Sequence, residues 1–268
     1  MILALLQGVT EFLPISSSGH LVLAWEYFDQ AGWQVPQQSQ SDRLTIDIAV
    51  HVGTLGAVCL YFWRDLWFMA LGLSKLLVGQ WTPGARLAFL VVLATLPVVG
   101  AGYLLKDYIT DALHGDIALV AWATIGFGVL LMAADRVGMT VRRVEHITVF
   151  QALFIGASQI LALIPGTSRS GITMTAARFF GYERPEAARF SLLLSIPAIL
   201  GAGTLTGLEL HETGDIHLQY EALVAAGVAF VAALIAIALM IRWLRTAGFM
   251  PFVIYRIALG VALLVWAT

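Results

Sequence analysis

Gln7-Gly-Val-Thr-Glu11-Phe-Leu-Pro-Ile-Ser16-Ser17-Ser18-Gly19-His20 sets a carboxylate, an imidazole and three serine hydroxyls inside segments apolar enough for a bilayer. A second stretch, Pro165-Gly-Thr167-Ser168-Arg169-Ser170-Gly171, answers it. Each passes from an apolar run holding a glutamine, Gln7 or Gln159, through a proline into a Ser/Gly cluster and on to another apolar run. Ionisable groups in hydrocarbon are costly and mark function by default. Irregular backbone at that depth is tolerated only when it is buried in protein or lines a wet cavity.

Composition agrees with a membrane setting. Hydrophobic residues make up 59% of the 268 positions, charged residues 12%, and mean hydropathy is +0.85, against about 25% charged in a soluble domain. The net charge of −2 says nothing about nucleic acid, and no basic stripe suggests it, so no nucleic-acid partner is expected. The lone Cys59 excludes disulfides and cysteine metal clusters within the chain. No linker divides the sequence, so a single domain over 1–268 is expected.

Six stretches are long enough to cross a ~30 Å core at about 20 residues each. They are Thr45 to Trp63, Arg86 to Lys106, Ile117 to Asp135, Ala187 to Leu208, Glu221 to Trp243 and Phe249 to Ala267, with Trp63, Trp81, Trp243 and Trp266 near their ends. Ile2 to Leu13 would be only ~18 Å long as a helix, and Leu21 to Phe28 is shorter still. Those two pieces predict a re-entrant hairpin, and Ile147 to Ile164 with Gly171 to Phe180 predict another. No basic segment precedes the first apolar run, which argues against a signal peptide.

Loop charges orient the spans. Arg64, Lys75 and Arg86, then Arg136, Arg142 and Arg143, then Arg242 and Arg245 mark one side; Asp107, Asp111, Asp116, Glu209, Glu212, Asp215 and Glu221 mark the other. Basic loops stay cytoplasmic, so the first hairpin dips in from outside and the second from the cytoplasm. The expected fold is an all-α polytopic membrane protein. It has about six transmembrane helices plus two re-entrant hairpins, in an inverted-topology repeat with halves of roughly 1–115 and 116–268. Asp47 to Val58 answers Arg189 to Ala202, and Thr95-Leu-Pro97 answers Phe249-Met-Pro251.

The chemistry follows from the two clusters. Each hands over to a half-helix opening at Ser18-Gly19 or Ser170-Gly171, and helix N-termini with serine caps attract anions. Arg169 can fork onto phosphate oxygens; a plainer role is to pair with a carboxylate and join the hairpins. Gln7 and Glu11 are one turn apart on one face, two oxygen donors suited to a hard cation, although Gln7 could equally serve helix packing. His20 can move a proton, or it can be a satisfied core histidine. Asp47 and His51 share a face and read first as an interhelical hydrogen bond. Arg178, Arg189 and Arg256 lie near segment ends and read as snorkelling to headgroups.

At these residues the chain resembles the bacterial undecaprenyl-diphosphate phosphatases of the bacitracin-resistance type, with Asp47-Ile-Ala-Val-His51-Val-Gly53 and Pro251-Phe-Val-Ile-Tyr-Arg256 as further support. The resemblance spans essentially the whole chain. It implies a multi-pass inner-membrane enzyme that hydrolyses C55 isoprenyl diphosphate to the monophosphate for peptidoglycan synthesis; by the loop charges its pocket should open outward, toward the periplasm. Implied catalytic residues are Glu11, His20, Ser17 and Arg169. Ser16, Ser18, Gly19, Thr167, Ser168, Ser170 and Gly171 are expected around the phosphates. A divalent cation, Mg²⁺ or Ca²⁺, is implied at Glu11 and Gln7, where Gln7 stands in place of the glutamate of many members. The attacking group is Ser17, His20 or water. Expected partners are the isoprenyl diphosphate lipid and membrane lipid, with a homodimer as an option. The competing class is a secondary transporter or flippase for phosphate or prenyl-phosphate lipids, because inverted repeats with broken helices suit both.

Overall fold

Helix starts are set largely by caps that the sequence supplies. Thr82 accepts from the Ala85 N–H at 3.2 Å with Pro83 opening the helix, and Asp116 accepts from the Leu119 N–H at 3.0 Å. Thr148 and Gln151 form a reciprocal capping box. A computed structural model of the chain describes residues 1–17, 19–21, 23–24, 40–105, 116–209 and 216–266, with backbone only at 40–44, 202–209 and 216–218. Expectations for Ser18, for 25–28 of the first hairpin, and for Lys106, Asp107, Asp111, Glu212, Asp215 and Ala267 fall outside the described residues.

The elements in order are α1 (Ile2–Thr10), α2 (Gln40–Tyr61), α3 (Trp63–Leu76), α4 (Pro83–Leu104), α5 (Ile117–Val137), α6 (Val149–Ser158), α7 (Arg169–Phe179), α8 (Arg184–Glu209), α9 (Ile216–Leu244) and α10 (Met250–Trp266). A turn of 3₁₀ helix, Val144–His146, precedes α6, and another, Gln159–Leu163, continues it. Residues 17, 19–21 and 23–24 are helical as well. The described residues form no strand.

Every expected span has a helix, with three differences. The first span does not end at Trp63: Phe62 leaves helical geometry (φ −98°, ψ 26°) to bury its ring, and α3 departs at 78° to α2. Three helical segments are long and apolar enough to cross a membrane as they stand, namely Pro83–Leu104, Ile117–Val137 and Gln219–Leu244; the bent α2–α3 pair makes a fourth. Pro97 lies inside α4 whereas Pro251 is in the first turn of α10, so the two prolines occupy different places in their helices. Only 33% of the apolar window of α4 is buried, and the remainder needs lipid to cover it.

The packing interleaves the two halves. Helix α1, leading into the first loop, packs on α9; α6, leading into the second, packs on α4. Both contacts are close at a glycine. A Cβ on Gly8 would come 2.7 Å from the Ala229 carbonyl oxygen, and one on Gly156 would overlap the Ala94 carbonyl. Phe12, fully buried in the main core, anchors the first loop between them.

The three outlying arginines are not snorkelling. Arg178 is enclosed on Asp135 and on the carbonyls of Met139, Gly138 and Tyr182. Arg189 binds Asp65, Glu145 and Glu186, which joins α3, the Val144–His146 turn and α8. Arg256 is fully buried beneath the two loops.

Candidate active site

The two loops share one backbone device. Ser16 (φ 70°) and Ser168 (φ 69°) are the two non-glycine residues with positive φ among those described, a conformation costing about 1–3 kcal/mol that tends to gather at functional sites. Each turns its Oγ onto the N–H three residues on, Gly19 at 3.4 Å and Gly171 at 3.2 Å. The caps are therefore Ser16 and Ser168, two residues earlier than the Ser18-Gly19 and Ser170-Gly171 openings expected from sequence. The strain is held because both loops are over-determined. Ser170 Oγ donates to the Leu13 carbonyl at 3.0 Å, tying loop to loop. Gly166, at φ 92°, lies against the Val120 carbonyl of α5, where a Cβ has no room.

Between the loops lies an ion pair. Arg169 Nη2 donates to Glu11 Oε1 at 2.9 Å, and the side chains are 20% and 9% exposed. Gln7 Nε2 donates to Glu11 Oε2 at 2.5 Å and lies 3.2 Å from His51 Nε2. His51 Nδ1 donates to the Asp47 carbonyl at 2.6 Å, which leaves Nε2 as the acceptor for Gln7. Among the described residues two buried atoms of this cluster have no partner: Arg169 Nη1 and Gln7 Oε1. Buried polar atoms are nearly always paired, so each of these two is open to a water or a ligand atom.

His20 forms a second pole. Its Nδ1 donates to the Ser16 carbonyl at 2.7 Å, and its Nε2 accepts from the Tyr255 hydroxyl at 2.5 Å, with the two rings stacked 5.4 Å apart. No hydrogen bond among the described residues joins His20 to Glu11 or Arg169. Ser17 is half-buried in the first turn after the loop, one turn before His20. The hydroxyls of Ser168 and Ser170 and the N–H of Gly171 are engaged within the loops. Thr167 Oγ1 is buried without a partner among the described residues.

Sequence reasoning under-ranked His51, Tyr255 and Arg256. The Asp47/His51 spacing was visible, but nothing in it showed that α2 would bring His51 beside α1. Tyr255 and Arg256 stand in a recognisable Pro251 motif whose partners lie 235 and 242 positions away. The described residues contain no group of three or more His, Cys, Asp or Glu arranged to hold a metal.

A helical membrane protein with a buried Glu–Arg pair between two strained, capped loops belongs to the class that handles anions within the bilayer. The chain matches the family described as "Bacitracin resistance protein BacA" over residues 1–262 and belongs to it. It is 52% identical over its whole length to "Undecaprenyl-diphosphatase 1" of Rhodospirillum rubrum, covering 94% of that protein. It is 48% identical to "Undecaprenyl-diphosphatase" of Jannaschia sp. (99% of this chain, 97% of the relative) and 49% identical to that of Hahella chejuensis (99% and 96%).

Proposed function

We propose that this protein is a membrane phosphatase that hydrolyses undecaprenyl diphosphate to undecaprenyl phosphate and inorganic phosphate, returning the lipid carrier for peptidoglycan synthesis and conferring bacitracin resistance. The full-length relatives named as undecaprenyl-diphosphatases support this reading, and none of them is named as a carrier. We place it in the bacterial inner membrane with the site open to the outside, on the strength of the loop charges.

The observation that carries the reading is the half-satisfied guanidinium. Arg169 spends Nη2 on Glu11 and keeps Nη1 buried and, among the described residues, unpaired at the junction of two helix starts. A terminal phosphate can complete that fork. Its arrival competes with Glu11 for Arg169. The attacking group, Ser17 Oγ or a water, then meets the terminal phosphorus, and the bond from that phosphorus to the bridging oxygen breaks, releasing prenyl phosphate. His20 Nε2, once parted from Tyr255, takes the proton of the attacking group. A phosphoserine formed at Ser17 would be cleared by water along the same path.

The residues present fit a divalent cation, Mg²⁺ or Ca²⁺. Gln7 Oε1 is a buried oxygen without a partner, on the same helix face as the Glu11 carboxylate. Two protein oxygens, with water and substrate phosphate as the remaining ligands, are a customary set for Mg²⁺. When bound, the ion supplies charge neutralisation at the diphosphate.

Purified protein in detergent should release phosphate from farnesyl diphosphate with Mg²⁺ and lose that release with a chelator. Arg169→Ala and His20→Ala should each lower kcat by at least about a hundredfold. Release that survives both substitutions would remove the site. No release, together with uptake of substrate into liposomes, would replace the phosphatase by a carrier.

A further inference from the structure

Arg256 carries a charge that the described residues leave unbalanced. Its side chain is fully buried on α10, and its N–H groups end on carbonyl oxygens. Nε donates to Thr124 at 3.0 Å, Nη1 to Pro14 at 3.4 Å, and Nη2 to Gly166 at 3.0 Å and Thr167 at 2.9 Å. Carbonyl dipoles solvate a cation but bring no opposite charge. Among the described residues no carboxylate lies within ion-pair distance of it, whereas Arg169 has Glu11, Arg178 has Asp135 and Arg189 has Asp65. A buried cation without a counter-ion is costly in a low-dielectric interior, and its retention calls for an anion.

The position says which anion. Pro14 belongs to the first loop and Gly166 and Thr167 to the second, so one guanidinium holds both. A Cβ added to Gly171, in the first turn of α7, would lie 2.9 Å from Arg256 Nη1. The charge therefore lies directly behind the helix start that presents Arg169. It is walled off from the ligand by the loops, and it acts through the field and through the loop geometry it fixes.

We infer that Arg256 is a positioning residue and the permanent counter-charge of the bound diphosphate: it suspends both loops from one fork and leaves the site one negative charge short until substrate arrives. The inference rests on the phosphatase reading above. Arg169 is shared between Glu11 and the arriving phosphate, whereas Arg256 stays in place throughout. Its contribution would be to affinity for the doubly phosphorylated headgroup over a singly phosphorylated one.

A non-hydrolysable farnesyl methylenebisphosphonate tests this by calorimetry on the purified full chain, with thermal unfolding of each ligand-free variant as a control. Arg256→Lys keeps the charge and loses the fork; Arg256→Gln keeps part of the hydrogen bonding and loses the charge. We expect Kd to rise by less than about tenfold in the Lys variant and by about a hundredfold or more in the Gln variant. Preference for the bisphosphonate over farnesyl phosphate should survive in Lys and collapse in Gln. Equal weakening in both variants, or wild-type binding by Gln, would overturn the inference. If Gln does not fold, the Lys variant decides: retained preference supports the charge role, and lost preference overturns it. Wild-type protein that neither binds the bisphosphonate nor hydrolyses farnesyl diphosphate would instead remove the phosphatase reading on which the inference stands.

Discussion

At the scale of single residues, Glu11 and Arg169 are each other's solvent. Removing one leaves an uncompensated charge at a site less than one-tenth exposed on the Glu11 side, and breaking such a pair costs about 3–5 kcal/mol. Removing both deletes the charge problem along with the attraction. The double variant Glu11→Gln/Arg169→Met should therefore unfold at a higher temperature in detergent than either single variant, while all three are inactive. Gln7 makes a second test. It donates to both Glu11 and His51, and a glutamate there could donate to neither. Gln7→Glu should lower the metal concentration giving half-maximal activity, because a second carboxylate joins the oxygen set. It should also lower the unfolding temperature in chelator, where two carboxylates face each other without a cation. A variant with unchanged metal dependence would show that this face does not bind the ion.

The elements explain why the loops can carry strain. A serine at φ near 70° is held by the helix it caps, by the opposite loop, and by α5 behind both. The supporting crossings depend on two glycines. Gly156→Ala would push a methyl into the Ala94 backbone and separate α6 from α4, so a clear fall in unfolding temperature is expected. Gly126→Ala, at an open and exposed position of α5, meets nothing and should be neutral or stabilising by up to about 1 kcal/mol. Much at this scale was legible beforehand, since apolar length located the spans and the Ser/Gly clusters located the loops. The bend at Phe62 was not. The residues Trp63-Arg-Asp65-Leu-Trp67 carry the charge and aromatics of an interface, and only the long-range Asp65–Arg189 contact, 124 positions apart, shows where α3 lies.

For the whole molecule the informative quantity is which partners lie far apart in sequence. Glu11, His20, Ser17 and Arg169 could be nominated from local motifs because each sits in a cluster with its own chemistry. Arg178, Arg189 and Arg256 were misread as surface anchors because position along a helix says nothing about a carbonyl or carboxylate supplied by another helix. Orientation in the bilayer has a direct test in a Cys59→Ala background. Thr140→Cys, in the exposed turn between α5 and α6, should resist a membrane-impermeant thiol reagent in spheroplasts and react after permeabilisation. Gln219→Cys, exposed at the start of α9, should react in both. The reverse pattern would invert the topology and direct the site toward the cytoplasm.

The seat of α1 on α9 has a consequence for biosynthesis. Translation delivers Gln7 and Glu11 some two hundred residues before the surface of α9 that receives α1. Until α9 is made, α1 has no berth. A carboxylate-bearing segment too short to span must then wait at the lipid headgroups or in the insertion machinery, and a chain truncated before α9 becomes a natural target for membrane quality control.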